Sequence, residues 1–303
     1  MRFSLLVVTT DRLHAAERLF RSLEAQTCKD FAVVFVHEEP CAAQAAALAR
    51  RCGGIGDMTL LPVPVCGVSA ARNRGLPLCG GDIVAFPDDD CMYAPHTLAA
   101  AAEMFRRHPE ADGLLAAGVE LETSGHEETR AASPSFGTDG MRLDGEFDDN
   151  LPGGERTAQA RPVNRYAVFG CSETWRQFYR RRCVERVGAF DDALGAGSGY
   201  PYGSGEDTDY ALRVLRSGFR VLRAPSVVVR HPAPDMRDPG LGARIEAYAC
   251  GRMYLLRKHS LPLWFRLANV LYPLAALAPD MLRAIRPVVA YRRRMFTARL
   301  AHF

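Results

Sequence analysis

Short apolar runs alternate with amphipathic stretches along the first hundred residues. The apolar runs are rich in β-branched residues, which is typical of buried parallel strands, and they cover Phe3–Thr9, Phe31–Val36, Met58–Val63 and Asp82–Phe86. The stretches between and after them predict helices over Leu13–Gln26, Ala42–Arg51, Ser69–Leu76 and Pro95–His108, the first capped by Thr9-Thr10-Asp11. This alternation predicts a doubly wound, mostly parallel α/β sheet of the Rossmann-like kind, in which ligands bind beyond the carboxyl ends of the strands.

The pattern changes after residue 122. Thr123–Arg161 is rich in Gly, Ser, Pro, Asp and Glu, which predicts a long connection of the kind that forms an active-site flap. Strand signals resume at Tyr166–Gly170, Phe219–Leu222 and Val227–Val229, and Ser204–Ser217 predicts a helix with a strongly acidic first turn.

Composition is that of an ordinary globular protein, with 48% hydrophobic and 24% charged residues in 303. The nine cysteines are scattered and form no C-x-x-C pair, which argues against a disulfide framework and against a zinc site. Free thiols are typical of a reducing compartment, and Met1-Arg2 leads directly into a strand without a signal peptide. We therefore expect a cytoplasmic protein.

Charge is distributed unevenly between 1–240 and 241–303, which we interpret as a catalytic domain and a helical C-terminal region. Residues 241–303 carry eleven lysine and arginine residues against two acidic ones, a net +9, which leaves −6 for 1–240 because the whole chain carries +3. Leu261–Pro279 is apolar but holds Arg266 and three prolines, too broken for a membrane span. The tail is expected to lie on the anionic inner face of a membrane; the alternative is packing on the domain or on a second subunit. No nucleic-acid module is recognisable.

Three adjacent carboxylates, Asp88, Asp89 and Asp90, follow the strand that ends at Phe86. Like charges this close raise one another's pKa values, so a cation is expected to offset them. A divalent metal bridging a diphosphate fits, because hard cations take oxygen ligands and substrate phosphates complete the shell. Alternation points Asp88 and Asp90 to one side, with Asp90 on the metal and Asp88 on the metal or the ribose. The alternative is a solvated acidic turn with Asp89 facing water.

A second acidic cluster, Glu206, Asp207 and Asp209, opens the predicted helix at Ser204–Ser217. Carboxylates are favoured at a helix start by the exposed N–H groups, and a plain cap explains one of the three acids. Transfer of a group to a hydroxyl by direct displacement needs one general base to take the proton of that acceptor hydroxyl. We assign Asp207 as that base, Glu206 as an anchor for an acceptor hydroxyl, and Asp209 to a cap or a structural pair.

Five segments in order carry a family resemblance between Phe3 and about His231. They are VVTTDR (Val7–Arg12), FAVVFVHEE (Phe31–Glu39), GVSAARNRGL (Gly67–Leu76), VAFPDDDC (Val84–Cys91) and GSGEDTDYALRVLRSGFRV (Gly203–Val221). The chain resembles a family 2 glycosyltransferase of the GT-A fold and is similar to bacterial polysaccharide-assembly enzymes.

The resemblance implies inverting transfer of a sugar from a nucleotide-diphosphate sugar to a glycan or lipid-linked glycan, with Mn²⁺ or Mg²⁺. It implies roles by position in the motifs: the nucleotide pocket for Thr9, Arg12, Glu38, Arg72, Asn73 and Asp88, the metal for Asp88 and Asp90, and the base for Asp207. His231 matches a histidine that some relatives use as an additional metal ligand; the alternative is a structural histidine.

The segments also depart from the family pattern in the base pocket. The usual two acids after the second strand are here His37 and Glu38, followed by Glu39 and Pro40, and Asp11 replaces the usual asparagine before Arg12. These changes leave the nucleotide open, with uridine as the default. Trp175, in a segment that lies under the sugar in the family, either stacks on a sugar face or packs in the core.

Two other classes compete with this interpretation. A sugar-nucleotide nucleotidyltransferase also binds nucleotide and metal on an α/β sheet, but it needs a Gly-rich phosphate loop where this chain has VVTTDR. A catalytically inactive nucleotide- or sugar-binding relative is disfavoured by the retention of Asp88, Asp90 and Asp207 together.

Overall fold

A computed structural model of the chain describes residues 1–121, 159–232, 240–276 and 286–303. The expected flap at Thr123–Arg161 therefore lies almost wholly outside the described residues. The strands in the described part are β1 (Phe3–Thr9), β2 (Phe31–Glu38), β3 (Met58–Val63), β4 (Ile83–Ala85), β5 (Met92–Tyr93), β6 (Gly113–Leu121), β7 (Arg161–Pro162), β8 (Gln177–Arg180) and β9 (Val221–Pro232). They form one sheet in the order β3-β2-β1-β4-β8-β6-β9-β5, with β7 paired to β9.

Helices lie between and after these strands. They are α1 (Leu13–Glu24), α2 (Ala42–Arg51), α3 (Val68–Gly75), α4 (Thr97–Arg107), α5 (Arg181–Val187), α6 (Glu206–Arg216), α7 (Leu241–Lys258), α8 (Leu263–Ala275) and α9 (Arg286–Ala301). The helices predicted in the first 110 residues and at Ser204–Ser217 are confirmed within two residues at either end. The predicted cap of α1 was wrong, because Arg12 holds the cap position and makes no side-chain cap bond there.

The amino-terminal half of the sheet is parallel, as the alternation predicts. β1 lies between β2 and β4, with Phe3 in register with Phe31 on one side and Ile83 on the other. β3 extends the same parallel arrangement beyond β2. β1, β2 and β4 are buried on both faces because side chains that alternate along them enter two different hydrophobic clusters, whereas β3 at the edge is only partly buried. The carboxyl ends of β1, β2 and β4 therefore meet at one edge.

The other half of the sheet is mixed; the mostly parallel α/β sheet that the sequence predicts is confirmed, and individual strands differ from the prediction. β8 is antiparallel to both β4 and β6, while β6 and β9 are parallel. Tyr166–Gly170 was expected to be a strand, but Ala167–Gly170 is a 3₁₀ turn. The two short strands expected after α6 are one strand, β9, whose pairing with β6 shifts register between Ala116 and Ala117.

The first helix of the C-terminal region packs into the hydrophobic core of the α/β domain. Met253, Leu255 and Leu256 of α7 belong to the same buried cluster as Tyr210 and Leu212 of α6. α9 packs on α7 through a smaller cluster of its own. Within the described part of the chain, no helix combines the length and apolarity needed to cross a bilayer. The boundary at residue 240 stays a prediction.

Candidate active site

The acidic motif lies at the carboxyl edge of the parallel strands. β4 ends at Ala85, and the chain then carries Asp88 alongside Val8 of β1 through an isolated parallel bridge. Glu38, the last residue of β2, ends at the same edge in register with Val63. The topology therefore brings the three predicted strand ends together, as expected of ligand sites in sheets of this kind.

Asp88, Asp90 and His231 form a cluster with the chemistry of a cation site. One ligand atom from each lies within 4.8 Å of the others. His231 comes from β9, and its Nε2 lies 3.1 Å from Oδ1 of Asp90. Its other ring nitrogen lies 2.8 Å from the carbonyl oxygen of Pro232, which favours a proton on Nδ1 and leaves the lone pair of Nε2 for a metal.

Asp90 Oδ1 supplies an independent test of whether a cation fits. It is buried, and among the described residues it accepts no well-aligned hydrogen bond, although Nε2 of His231 is at hydrogen-bonding distance. Burial acts to raise the pKa of Asp90, but His231 and Arg12 outweigh it and hold the pKa well below its usual range. An ionised carboxylate whose oxygen faces an imidazole nitrogen suits Mn²⁺ or Mg²⁺.

The ring of His231 is held in place by Trp175. The two rings stack with centroids 5.0 Å apart at an interplanar angle of 15°. Trp175 is 5% exposed, and the guanidinium of Arg176 lies 4.5 Å from the centre of its ring. A Cβ at Gly118 would collide with both Trp175 and Arg176, so only glycine allows this packing. Of the two roles open to Trp175, core packing is the one the structure shows.

Asp89 does not face water. It is 1% exposed, and its Oδ2 accepts a hydrogen bond of 2.6 Å from the hydroxyl of Thr9. Arg12 donates to Asp89 and, at 2.6 Å, to Oδ2 of Asp90. Burial raises the pKa of Asp89 to about 6, although Arg12 and Thr9 oppose the shift. The alternative of a solvated turn is therefore wrong for Asp89. Its hydrogen bond with Thr9 holds the acidic motif against the end of β1.

Thr9 and Arg12, expected to line the base pocket, thus have their side chains on the acidic motif. Thr9 is 2% exposed, and its hydroxyl donates a hydrogen bond to Asp89. The side chain of Arg12 is 51% exposed, so it can reach the motif and solvent at once. The structure shows a positioning role for Thr9; contact of these residues and of Glu38 with a nucleotide stays a prediction.

Arg72 links the two acidic clusters, which sequence reasoning missed. It lies on α3 and is 4% exposed. Its guanidinium donates to Oδ1 of Asp88 at 3.0 Å and to Oε1 of Glu206 at 3.1 Å. The hydroxyl of Thr174 donates to the same Oδ1 at 3.0 Å. Local sequence held no signal for this link, because Asp88 lies 16 and Glu206 134 residues from Arg72 along the chain.

Asn73, the neighbour of Arg72, is directed elsewhere. Its amide nitrogen donates to the carbonyl of Phe190 at 2.9 Å and to Asp192 at 2.6 Å. Its amide oxygen accepts from the backbone N–H of Phe190 at 2.7 Å. Both polar ends of the Asn73 side chain therefore bind the segment around Phe190, which is a structural role. Contact of Asn73 with a nucleotide stays a prediction.

Glu206 and Asp207 occupy the first turn of α6. Gly205 precedes them with a φ of +97°, a left-handed conformation that favours glycine. Oδ1 of Asp207 accepts the N–H of Thr208 at 2.5 Å. Burial, with the nearby charges of Glu206 and Glu173, raises the pKa of Asp207 well above its ordinary value. A carboxylate of raised pKa is a stronger proton acceptor.

Asp209 is structural, as expected. It is fully buried, and its carboxylate meets Arg213 at 2.8 Å, Lys258 at 2.6 Å and His259 at 2.8 Å. Lys258 ends α7 and also reaches Asp191 at 2.6 Å. Asp209 therefore attaches the tail to the helix that carries Asp207.

Comparison with known proteins places this site in a family. A family model described as glycosyl transferase family 2 matches residues 4–157, just over half of the chain. The mannosyltransferase PcManGT from Pyrobaculum calidifontis, solved in complex with GDP-Man and Mn²⁺, is similar with a TM-score of 0.65 and 16% identity over 99% of this chain and 86% of that chain. S. aureus TarS 1-349 in complex with UDP-GlcNAc has a TM-score of 0.55 and 15% identity over 100% and 93% of the two chains.

At such identities these two structures show a shared fold alone. A search of curated protein sequences found no match. The family model, together with the sheet and helices that match both structures, confirms the resemblance expected from the five segments. The chain belongs to glycosyl transferase family 2 and is a glycosyltransferase built on the GT-A fold.

Proposed function

We propose that the protein transfers a sugar from a nucleotide-diphosphate sugar to a hydroxyl of a glycan or lipid-linked glycan, with inversion at the anomeric carbon and with Mn²⁺ or Mg²⁺. The bridge made by Arg72 carries the proposal, because it joins Asp88 of the cation cluster to Glu206 beside the candidate base. One buried guanidinium thus holds a donor-side carboxylate and an acceptor-side carboxylate in fixed positions within one site. Transfer between two bound substrates requires such fixed positions.

The donor side comprises Asp88, Asp90 and His231. Their oxygen and imidazole atoms fit a divalent cation, and Oδ1 of Asp90, which accepts no well-aligned hydrogen bond among the described residues, supports this. When bound, such a cation would neutralise the charge that develops on the leaving diphosphate. The Mn²⁺ in the PcManGT complex, a protein of the same fold, supports a metal-dependent reaction for this chain.

The acceptor side comprises Glu206 and Asp207. In the proposed step the acceptor hydroxyl oxygen bonds to the anomeric carbon while the bond from that carbon to the phosphate oxygen breaks. The hydroxyl proton passes to the carboxylate of Asp207, whose raised pKa suits a general base. A single displacement of this kind inverts configuration. Glu206, fixed by Arg72, would orient the acceptor by a hydrogen bond.

Binding of the nucleotide is proposed for six residues: Thr9, Arg12, Glu38, Arg72, Asn73 and Asp88. Uridine is the default. The departures at Asp11, His37 and Pro40 lie beside the carboxyl ends of β1 and β2, where the base would sit. The two similar structures hold GDP-Man and UDP-GlcNAc, so guanosine and uridine donors both belong in a test.

Family membership favours this reaction over the nucleotidyltransferase alternative, because the family model covers the segments that carry both the nucleotide edge and the acidic motif. The other alternative, a catalytically inactive relative, would be excluded by measured turnover. We also propose that the protein is cytoplasmic and that it self-associates.

The deciding experiment has two stages. Melting temperature is first measured against a panel of nucleoside diphosphates with and without Mn²⁺, because a ligand that binds only the native state raises it. The matching sugar nucleotides are then tested for transfer by the wild type and by Asp207→Asn. We expect one nucleotide to stabilise only with metal, and Asp207→Asn to keep that shift while losing roughly 10²–10⁴-fold in turnover.

The matched control is Glu185→Gln, which neutralises a carboxylate that is 66% exposed on α5. It should leave both readouts unchanged. Transfer by Asp207→Asn at the wild-type rate would reject the base assignment, and the absence of any nucleotide-dependent shift in folded protein would reject the donor site.

A further inference from the structure

Helix α8 presents an uncovered apolar face. Leu263, Leu267, Leu271 and Leu274 are 60%, 41%, 52% and 38% exposed, and their spacings of four, four and three residues place them along one side of the helix. Trp264, 51% exposed, widens this stripe at its first turn. We call these five residues the α8 stripe. The opposite side of α8 is buried in the protein through Phe265, Asn269, Val270 and Pro273.

The charged residues of α8 and α9 are all basic. The two helices contain no aspartate or glutamate, and Arg266, Arg292, Arg293 and Arg294 are at least partly exposed. The last three belong to α9, which packs against α8, whereas Arg299 of α9 is 1% exposed and donates to the carbonyl oxygen of Asn269. The occupant of the stripe must therefore combine an apolar interior with a negatively charged rim.

Cations lie at both ends of the α8 stripe. At the amino-terminal end of the stripe, the centre of the Tyr166 ring lies 5.3 Å from that of Trp264. The guanidinium of Arg165 lies 4.9 Å from the centre of the Tyr166 ring. At the other, the guanidinium of Arg292 lies 5.7 Å from the ring of Tyr272, next to Leu271. An aromatic pair beside an arginine is typical of the boundary between acyl chains and headgroups.

We infer that the α8 stripe docks the protein on an anionic phospholipid bilayer, with the helix lying in the plane of the interface. Leucine and tryptophan side chains would enter the acyl boundary while the surrounding arginines meet lipid phosphates. A second copy of the chain would bring two strongly basic surfaces together, so the charge balance disfavours it as the occupant. The inference does not depend on the proposed reaction, since the α8 stripe contains none of its residues.

The test uses the two tryptophans of the chain. Trp175 is buried, so a change of emission on adding vesicles reports on Trp264. The full-length protein is mixed with vesicles of phosphatidylglycerol and phosphatidylcholine in equal parts, or of phosphatidylcholine alone, and binding is read by sedimentation and by quenching from brominated acyl chains. We expect blue-shifted, quenched emission with the anionic vesicles, and binding that weakens as salt is added.

The test variant carries Leu267→Glu and Leu271→Glu together, and the matched control is Leu78→Glu, which changes a leucine of similar exposure (48%) beyond the end of α3. The double variant should bind anionic vesicles at least about tenfold more weakly, and the control should bind like the wild type. Both should keep the wild-type melting temperature and its nucleotide-dependent shift.

Three outcomes would overturn the inference. They are no binding of the wild type to anionic vesicles at low salt, equal binding by the double variant, and self-association that the double variant abolishes without any binding to vesicles. None of them bears on sugar transfer, which is measured with soluble donor and acceptor.

Discussion

Arg72 and Glu206 form an ion pair of 3.1 Å between α3 and the start of α6, and the guanidinium is almost completely buried. The same guanidinium reaches Asp88, so the pair is one arm of a bridge across the candidate active site. Neither carboxylate is fully buried, at 27% exposure for Asp88 and 14% for Glu206, but each relies on Arg72 for its closest positive charge in the site.

Loss of the Arg72 bridge should cost both stability and activity. Arg72→Met leaves two partly buried carboxylates without their partner, so the free energy of unfolding is expected to fall by roughly 2–4 kcal/mol. Arg72→Lys keeps the charge but not the forked geometry, and it should recover part of the stability and little of the activity. Urea unfolding and kcat/KM measure the two effects. Arg74→Met, at an exposed position of the same helix, should change neither.

The raised pKa of Asp207 predicts opposite effects of pH on rate and on stability. Transfer should speed up as pH rises through that pKa, because the base must be deprotonated. Folding stability should fall over the same range: a carboxyl whose pKa is higher folded than unfolded binds its proton more tightly when folded, so raising the pH removes that stabilisation. The contribution is complete below the ordinary carboxyl pKa.

Asp207→Asn isolates this contribution. The variant minus wild-type difference in the free energy of unfolding, measured by urea titration, should grow in favour of the variant as pH rises from the acid range. A difference that stays constant with pH would mean that the Asp207 pKa is not raised.

The cation cluster predicts a specific loss on removing His231. His231→Ala should weaken Mn²⁺ binding at least about tenfold, since it removes one of three candidate ligands. Binding is measured by the paramagnetic resonance of free Mn²⁺ in the presence of the nucleoside diphosphate that stabilises the protein. His14→Ala, an exposed histidine on α1, is the control. Unchanged Mn²⁺ affinity in His231→Ala would leave only the structural role for this histidine.

The contacts of Asp209 predict that it holds the tail in place. Asp209→Asn removes the charge that faces Arg213, Lys258 and His259, and the free energy of unfolding should fall by about 3 kcal/mol. Burial acts to raise the pKa of Asp209, but hydrogen bonds from His259 and Lys258 and the charges of Arg213 and Lys258 outweigh it and lower that pKa to about 2. The stabilisation therefore exists above the ordinary carboxyl pKa and is lost as pH falls toward about 2.

Limited proteolysis gives the second readout for Asp209. Cleavage after Lys258 or at Arg257 should accelerate in Asp209→Asn and stay at the wild-type rate in Glu185→Gln. Equal cleavage rates in the wild type and Asp209→Asn would contradict the anchoring role.

Local pattern alone determined the parallel half of the sheet and the residues at its edge. β1, β2 and α2 were predicted within a few residues, because burial on both faces, helix periodicity and turn residues are properties of neighbouring positions. The acidic motif after β4 and the acids at the start of α6 followed from the same local order, and with them the family and its reaction class.

Only the tertiary structure decided which distant side chains meet. β6 was missed because Gly113 and Gly118 weaken its strand signal, and these glycines are needed where the strand packs against Tyr179 and against Trp175 and Arg176. Asp89 is buried where Thr9 and Arg12 donate hydrogen bonds to its carboxylate. Arg72 pairs with Glu206, which lies 134 residues away along the chain. Such pairings depend on how helices pack on the sheet, and packing is a property of the whole chain that no local pattern contains.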